Sequence, residues 1–460
     1  MRVDVNFDEG SQLHRKGIAD QKEFGLSKAV VITFDRWHCG FLGCQGNPWV
    51  DTPHFDQLAL RATVFDQHFA ENLNPESAQH AWWTGRFQFP LTVEQQRGEP
   101  TWLPWLAGQG IQTTLLYDPA ATLPLEKEQF AVSRAVPLDD VSGLHYERDL
   151  PRFARAAIAR IKQMAQTPET SELLWIHAGG LPVDQSSLAH DELYGDDSEE
   201  AAAEKSGETA GHDPNDEGEN PDFPPRFWRR KRSSPRELAD ARLRGTGWAT
   251  DGGSNQIDWR RRRDLYSGQV TQWDAWVGRI LEAVTALRQT TPVFLAFTAG
   301  AGEHLGEHAH IEPSSELFEE RIHTPLIIEM PLDEALSGRR LPLSQSVDLP
   351  ATLLDWFGVA VPAGTTLDGQ SLLPVVRDDQ PLQRDIVYVG DGAHAGVRTV
   401  DYYYRQQLDP VGLEPQELIF VKPDDRWDAD SGLRQYIDAA DELSLKWREF
   451  VKSVQVRATK

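Results

Sequence analysis

Four side chains that could bind a metal ion lie close together in one short stretch of the sequence. His304, Glu307, His308 and His310 carry imidazole and carboxylate groups, and imidazoles at such spacing ligate zinc on helices. The spacing differs, however, from the His-Glu-x-x-His pattern, in which two imidazoles share one helix face. We therefore interpret these residues as ordinary structural groups and keep zinc binding as the alternative.

A hydroxyl and an imidazole one turn apart are the candidates for nucleophilic chemistry. Ser77 could act as a nucleophile, since hydroxyl groups attack electrophilic centres in many enzymes, and His80 follows it by one helical turn. No Lys or Arg lies beside Ser77 to activate its hydroxyl. Helix capping is thus the favoured role for Ser77, and a structural role is favoured for His80.

The residues just before Ser77 form a strong helix start. Asn74 suits the N-cap, Pro75 fits the first turn, and Glu76 places negative charge at the positive end of the helix dipole. A helix N-terminus otherwise attracts anions, so the Glu76 carboxylate would repel an approaching anion. The pattern predicts a helix from Pro75 whose anion site is blocked.

Short apolar runs that alternate with helical patterns must position these residues. Each run is bounded by polar or turn residues, which is typical of a buried parallel strand. Apolar residues between Val270 and Val284 recur at steps of three and four, which predicts a helix packed on a sheet. Since strands and helices alternate, we predict an α/β fold with a mostly parallel sheet. The predicted strands are residues 29–34, 173–177, 293–298, 326–330 and 386–389.

Composition and charge exclude several functional classes. The chain has 460 residues with 46 Lys and Arg against 71 Asp and Glu, and its net charge of −25 disfavours general binding to nucleic acid. No apolar run reaches the roughly 18 residues that a membrane span needs, and the start lacks the apolar segment of a signal peptide. These features predict a cytoplasmic protein. Only two cysteines are present, Cys39 and Cys44, so a disulfide scaffold is excluded and both are predicted to be small buried hydrophobic groups.

A strongly charged segment interrupts the alternation of strands and helices. Residues 191–222 are rich in Asp, Glu and Gly and have almost no apolar side chains to bury, so we predict disorder. Basic blocks follow at 226–232 and 260–263. They could form a patch for an anionic partner, or they could contact acidic groups of the protein and water. The second interpretation is favoured because charge runs are usually solvated.

Three longer stretches occur in a characteristic order along the chain. They are ITFDRWHCGFLGCQGNPWVDTPHFDQLA (32–59), FTAGAGEHLGEHAH (297–310) and SVDLPATLLDWFGVAVPAGTTLDGQSLLPVV (346–376). Together they resemble the sulfatase family within the alkaline phosphatase superfamily. The resemblance implies an α/β sandwich with a large mixed, mainly parallel sheet and a small C-terminal α+β subdomain. It also implies sulfuric ester hydrolysis as the nominal activity.

The resemblance also divides the chain into parts. We predict an N-terminal extension over 1–27, a sulfatase-like α/β domain over 28–340 and a C-terminal subdomain over 341–460. Within the α/β domain, 186–256 is predicted to be a charged insertion.

The nucleophile that the resemblance implies has no counterpart in this sequence. Family enzymes place a Cys or Ser, modified to formylglycine, at the start of a C/S-x-P-x-R motif, eleven residues before the Arg that is Arg86 here. That count leads to Pro75, and the motif's Pro and Arg positions are Ser77 and Gln79. Because proline offers no attacking group, the resemblance predicts that this chain has no catalytic residue.

The metal ligands implied by the resemblance are also missing, with one exception. The family's divalent cation, typically calcium, is held by acidic residues after the first strand and by an Asp-His or Asp-Asn pair after a later strand. Asp35 matches the first position, whereas Gly40, Gly300 and Ala301 stand at the others. One carboxylate cannot hold a hard cation that takes six or more oxygens. We therefore expect no cofactor.

These losses favour a non-catalytic sulfatase-like protein with a binding or regulatory role. Its partner is predicted to be a protein or a small molecule, with no nucleic acid and no membrane span. A purely structural oligomer subunit is equally compatible with the sequence. The alternative is an active sulfate- or phosphate-ester hydrolase with a rebuilt site. Its candidate residues would be Asp35, Ser77, His80, Glu303 and His304.

Overall fold

The computed structural model describes residues 26–97, 99–121, 123–137, 151–181, 259–308, 317–331, 336–408 and 416–458. Several predicted features lie outside these ranges. They are the insertion at 186–256, the disorder at 191–222, His310 and residues 1–25 of the N-terminal extension. The basic block at 226–232 lies outside them as well.

The described chain alternates strands and helices over most of its length. The strands are β1 Lys28–Arg36, β2 Thr63–Phe65, β3 His68–Phe69, β4 Gln112–Tyr117, β5 Val132–Ala135, β6 Glu172–Ala178, β7 Val293–Ala301, β8 Leu326–Glu329, β9 Gly338–Arg340, β10 Ser344–Gln345, β11 Val387–Gly390, β12 His394–Arg398, β13 Tyr402–Gln407 and β14 Glu417–Val421. The helices are α1 Pro53–Arg61, α2 Pro75–Thr84, α3 Val93–Arg97, α4 Leu103–Gly108, α5 Arg152–Met164, α6 Trp259–Leu287, α7 Glu319–Ile322, α8 Asp348–Trp356, α9 Leu373–Asp378 and α10 Ile437–Ala458.

The main sheet has eight strands in the order β5-β4-β6-β1-β7-β8-β2-β9. Its central strands β4, β6, β1 and β7 are parallel to one another. Consecutive side chains of β1 point to opposite faces, as the pleat requires. Val30 lies in one buried cluster with Val277 of α6, whereas Val31 lies in another with Trp82 of α2. The sheet is thus covered by helices on both sides, as predicted.

The predicted helix face between Val270 and Val284 is confirmed. Helix α6 contains it, and its apolar residues are buried against the sheet and α5.

The prediction of a parallel strand at 326–330 is wrong. β8 runs antiparallel to β7, with Leu295 opposite Glu329. The reason lies in the connection, because the Gly302 amide donates to the Arg321 carbonyl at 2.7 Å. The segment that leads into β8 therefore lies beside the carboxyl end of β7. From that end the chain can re-enter the sheet only in the opposite direction.

The run at 386–389 forms a strand, but it is not a parallel one either. It corresponds to β11, which belongs to a separate antiparallel sheet in the order β11-β12-β13-β14. Leu443 and Trp447 of α10 pack with Val397 and Tyr404 of this sheet. The small sheet and its helix are the predicted C-terminal α+β subdomain.

The two cysteines lie in the loop after β1 and are not joined. Cys39 is buried and Cys44 is half-buried. Burial raises the pKa of the Cys44 thiol to about 12 and that of Cys39 still further above its usual value, so both are protonated at neutral pH. The predicted role as a small buried hydrophobic group fits Cys39 best.

A membrane-spanning helix would need a long and apolar segment. Among the described residues no helix has that combination of length and hydropathy.

Candidate functional site

Helix α2 begins as its sequence predicts, at the carboxyl edge of the main sheet. Asn74 is the N-cap, and its Oδ1 accepts a hydrogen bond from the Ser77 amide at 3.1 Å. Pro75 occupies the first helical position, and Glu76 lies in the first turn. The side chain of Asn74 therefore caps this helix N-terminus, and the negative charge of Glu76 stabilises the positive end of the helix dipole.

Ser77 does not cap the helix, which corrects the prediction. Its side chain is buried, and its hydroxyl donates to Oε1 of Gln96 at 3.3 Å. Since Asn74 already supplies the cap, the Ser77 hydroxyl is free to bridge to helix α3. The group is thus engaged in a neutral hydrogen bond rather than beside a base.

Asp35 follows the central strand and meets two polar side chains from different elements. Gln79 of α2 donates from Nε2 to Asp35 Oδ1 at 2.8 Å, and His177 Nε2 lies 3.0 Å from the same oxygen. The Gln79 and His177 nitrogens are 2.9 Å apart. Thr33 Oγ1 lies 2.8 Å from His177 Nδ1 and accepts from Trp175 Nε1 at 2.8 Å. All five residues are buried, and Asp35, the most exposed of them, is 8% exposed.

Sequence reasoning missed His177. The available signal was a lone histidine in an apolar run that pairs with the strand before Asp35. In the sheet His177 lies opposite Thr33, two residues before Asp35. Neighbouring parallel strands end at the same edge, so the pairing brings its ring to the Asp35 carboxylate.

Side chains added at Gly300 or Gly40 would make close contacts with their neighbours. A Cβ atom on Gly300 would lie 2.9 Å from the Ala78 Cβ and 3.1 Å from the Asp35 carbonyl oxygen. On Gly40 it would lie 3.0 Å from Cε1 of His38. Ala301 is fully buried and packs in an apolar cluster. Helix α2 and the loop after β1 thus fill the space that further carboxylate ligands would occupy.

The remaining candidates for a rebuilt site contact separate partners. His80 is buried, with Nε2 3.8 Å from Oε2 of Glu126, and burial lowers its pKa. Glu303 lies between Arg36 at 3.8 Å and Arg262 at 3.5 Å. Among the described residues, neither side chain forms a hydrogen bond or an ion pair with Asp35 or Ser77, so the five candidates do not form one site.

His304 belongs to a second polar cluster, which lies between the loop after β7 and helix α7. Its Nδ1 is 3.0 Å from Oε1 of Glu320 and 3.3 Å from Oε2 of Glu307. His38 Nε2 lies 3.2 Å from Oε1 of Glu307, and His308 Nε2 lies 3.7 Å from Oε1 of Glu320. Burial lowers the pKa of His304, but its hydrogen bonds to Glu307 and Glu320 outweigh burial and raise it to about 9.

Sequence reasoning found His304, Glu307 and His308 in this cluster but missed His38 and Glu320. The partners come from the loop after β1 and from α7. Nothing in the local spacing links these segments, because they meet only through the order of strands in the sheet.

The described end of the basic block at 260–263 contacts the protein itself. Arg262 approaches Glu303, and Arg263 donates to the carbonyl oxygens of Leu305 and Gly306 at 2.7 and 3.2 Å. The favoured interpretation, contacts within the protein, therefore holds for Arg262 and Arg263.

Comparison with known sequences points to one family. Residues 187–359 match the Sulfatase family model. The multifunctional alkaline phosphatase superfamily protein PehA of Trinickia caryophylli is 30% identical over 123 residues, which cover 26% of this chain and 23% of PehA. The N-acetylglucosamine-6-O-sulfatase of Bacteroides thetaiotaomicron is 27% identical over 164 residues, covering 33% of this chain and 29% of the relative. The matches thus span less than a third of either curated relative.

Solved structures share the fold over nearly the whole chain. The candidate sulfatase yidJ of Bacteroides fragilis superposes with a TM-score of 0.64 at 16% identity and covers 95% of this chain and 97% of its own. The phosphonate monoester hydrolase of Agrobacterium radiobacter gives a TM-score of 0.60 at 16% identity, covering 93% and 96%. At this level of identity the superpositions establish the sulfatase-type architecture.

Proposed function

We propose that this chain, which matches the Sulfatase family model over residues 187–359, is a catalytically inactive member of that family with a binding or regulatory role. In this proposal the fold is retained as a scaffold, while Pro75, Ser77 and Gln79 stand where the family's catalytic motif would be. Fold alone does not assign activity, so the proposal rests on the contacts around these positions.

The packing around Asp35 is the observation that carries the proposal. Its Oδ1 already has the Gln79 amide and the His177 ring as neighbours within 3.0 Å. A cation would need several further oxygens at this point, and Gly300 is packed too closely against Ala78 to be replaced by an acidic residue without rearrangement. The side chains present stabilise Asp35 without a cation.

Electrostatics at the start of α2 support the same conclusion. Hydrolysis of a sulfate ester requires positive groups that stabilise the charge developing on the leaving oxygen and the sulfuryl group. Here Gln79 is neutral, Glu76 is negative, and the Ser77 hydroxyl donates to Gln96. These groups supply neither an activated nucleophile nor a positive charge for an anionic ester.

The test is turnover of aryl sulfates and aryl phosphates by the full chain with calcium, magnesium, manganese or zinc. We expect no turnover above that of a protein-free control. Turnover that disappears in Ser77→Ala or Asp35→Ala, but persists in the exposed control Ser453→Ala, would contradict the proposal. That result would support the alternative, an ester hydrolase with a rebuilt site. A protein or small-molecule partner and a cytoplasmic location stay predictions.

A further inference from the structure

We propose that His304, His308, Glu307 and Glu320 form a zinc site that joins the loop after β7 to helix α7. The four residues come from two segments that lie between β7 and β8 in the chain. The inference uses none of the contacts of Asp35 and is independent of the proposed loss of ester hydrolysis.

The distances between the donor atoms fit a tetrahedral ion. Zinc bonds of about 2.0–2.1 Å to nitrogen and oxygen place neighbouring ligand atoms about 3.3 Å apart. His304 Nδ1 is 3.0 Å from Glu320 Oε1 and 3.3 Å from Glu307 Oε2. His308 Nε2 is 3.7 Å from Glu320 Oε1. Ligand atoms of His304, Glu307 and Glu320 all lie within 4.8 Å of one another, so three donors already converge, and His308 supplies the fourth through its approach to Glu320.

The charges of the cluster also favour a divalent cation. Two carboxylates converge on the single Nδ1 of His304, and one N–H cannot point at both of them with good geometry. Glu320 is 3% exposed, and its Oε2 has no hydrogen-bond partner among the described residues. An unsatisfied buried carboxylate oxygen is costly. A zinc ion would neutralise both carboxylates and bind the imidazole nitrogens.

Neighbouring groups hold Glu307 in place. His38 Nδ1 accepts the Gly40 amide at 3.0 Å, which leaves its Nε2–H to donate to Glu307 Oε1 at 3.2 Å. The Leu305 amide donates to Glu307 Oε2 at 2.7 Å. Hydrogen bonds of this kind orient metal-binding carboxylates in known sites. The ring of His308 stacks on Phe318, with centroids 3.6 Å apart, so its orientation is restricted as well.

A small cleft lies beside the cluster. His38 and Glu320 line it together with Cys39, His323 and Trp427. Cys39 is held protonated by burial and is not included among the ligands.

The test uses the full chain after dialysis against a chelator. Isothermal titration with Zn²⁺ alone should show one equivalent bound per chain. Loss of a ligand in His308→Ala or Glu320→Gln should weaken this binding by at least about 10–100-fold, since even loss of supporting groups has that effect. His394→Ala is the matched control, because His394 also pairs with a carboxylate, Asp391 at 3.5 Å, in the small sheet. It should bind zinc as the unaltered chain does.

Binding of Co²⁺ provides a readout that needs no variant. We expect the intense visible absorption of tetrahedral cobalt, displaced by one equivalent of Zn²⁺. Absence of stoichiometric zinc binding would overturn the proposal. Weak absorption typical of octahedral Co²⁺ would also overturn it. An unchanged zinc affinity in both His308→Ala and Glu320→Gln would overturn it as well. If a variant fails to fold by circular dichroism, the cobalt spectrum of the unaltered chain decides.

Discussion

The amide nitrogen of Gln79 donates a hydrogen bond to Oδ1 of Asp35 at 2.8 Å, linking helix α2 to the end of the central strand. Because Gln79 is neutral, this contact satisfies a buried carboxylate oxygen without contributing the positive charge of an arginine. His177 approaches the same oxygen from the neighbouring strand. These contacts explain how the buried Asp35 carboxylate is accommodated at the end of β1, and they lead to the first prediction.

Replacement of Gln79 by Ala should destabilise the protein by about 1–3 kcal/mol, because it leaves a buried oxygen of Asp35 short of one donor. Urea unfolding measures the change in the free energy of unfolding. The matched control is Gln57→Ala on the exposed side of α1, which we expect to change stability by less than about 0.5 kcal/mol. Equal effects of the two substitutions would show that the contact with Asp35 does not matter for folding.

Introduction of an acidic residue at Gly300 should not restore a cation site but should lower stability. The Cβ of Gly300→Asp would press on Ala78 and on the Asp35 backbone, and overpacking of this kind costs about 1–3 kcal/mol. The double variant with Ala78→Gly should recover part of the loss. Gly108→Asp serves as the control, because nothing lies within 4 Å of a Cβ at that exposed position. A calcium-dependent gain in stability of Gly300→Asp would contradict the expectation.

Thermal melts with different cations distinguish metal binding at the His304 cluster from metal binding at Asp35. Zinc at about 100 times its dissociation constant should stabilise the folded chain by about 2.7 kcal/mol, and the melting temperature should rise by several degrees. Calcium and magnesium should leave it unchanged, because Gly40, Gly300 and Ala301 provide no side-chain oxygen beside Asp35. A rise with calcium would mean that unidentified ligands complete the site at Asp35. The zinc-dependent rise should persist in His394→Ala and be lost in His308→Ala.

The buried carboxyl group of Glu71 should make stability depend on pH. Burial raises the pKa of Glu71 from 4.5 to about 8. The folded chain therefore binds this proton more tightly than the unfolded chain does. Its contribution is fully present below about pH 4.5 and is lost as the pH rises through about 8.

Glu71→Gln tests this contribution, because it keeps an oxygen for the Gln88 amide that donates to Glu71 Oε2 at 3.1 Å. The variant should be more stable than the unaltered chain by about 2–4 kcal/mol at about pH 9. The two should differ little at about pH 4.5. Chemical denaturation across this range provides the measurement, with the exposed Glu282→Gln as control. A difference that does not vary with pH would exclude a raised pKa for Glu71.

Local patterns in the sequence were sufficient for several elements. The start of α2 follows from Asn74, Pro75 and Glu76, since capping and dipole effects act within one turn. The buried face of α6 follows from a periodicity that repeats every three or four residues. The absence of a nucleophile at Pro75 is likewise a property of one side chain.

Other features depend on which segments the fold brings together. The direction of β8 depends on the contact between Gly302 and Arg321, which places the segment before β8 beside the carboxyl end of β7. A local sequence pattern does not indicate from which end of the sheet a strand begins. The same holds for the partners of Asp35, because His177 reaches it through strand pairing between residues far apart in the chain.

The sequence by itself determined the start of α2, the buried face of α6 and the resemblance to sulfatases, because each of these is encoded in types and spacings along the chain. Only the tertiary structure decided that Gln79 and His177 enclose Asp35 and that Glu320 joins His304. The physical reason is range: capping and periodicity act over a few residues, whereas buried carboxylates are stabilised by whichever donors the sheet and its loops place within about 3 Å.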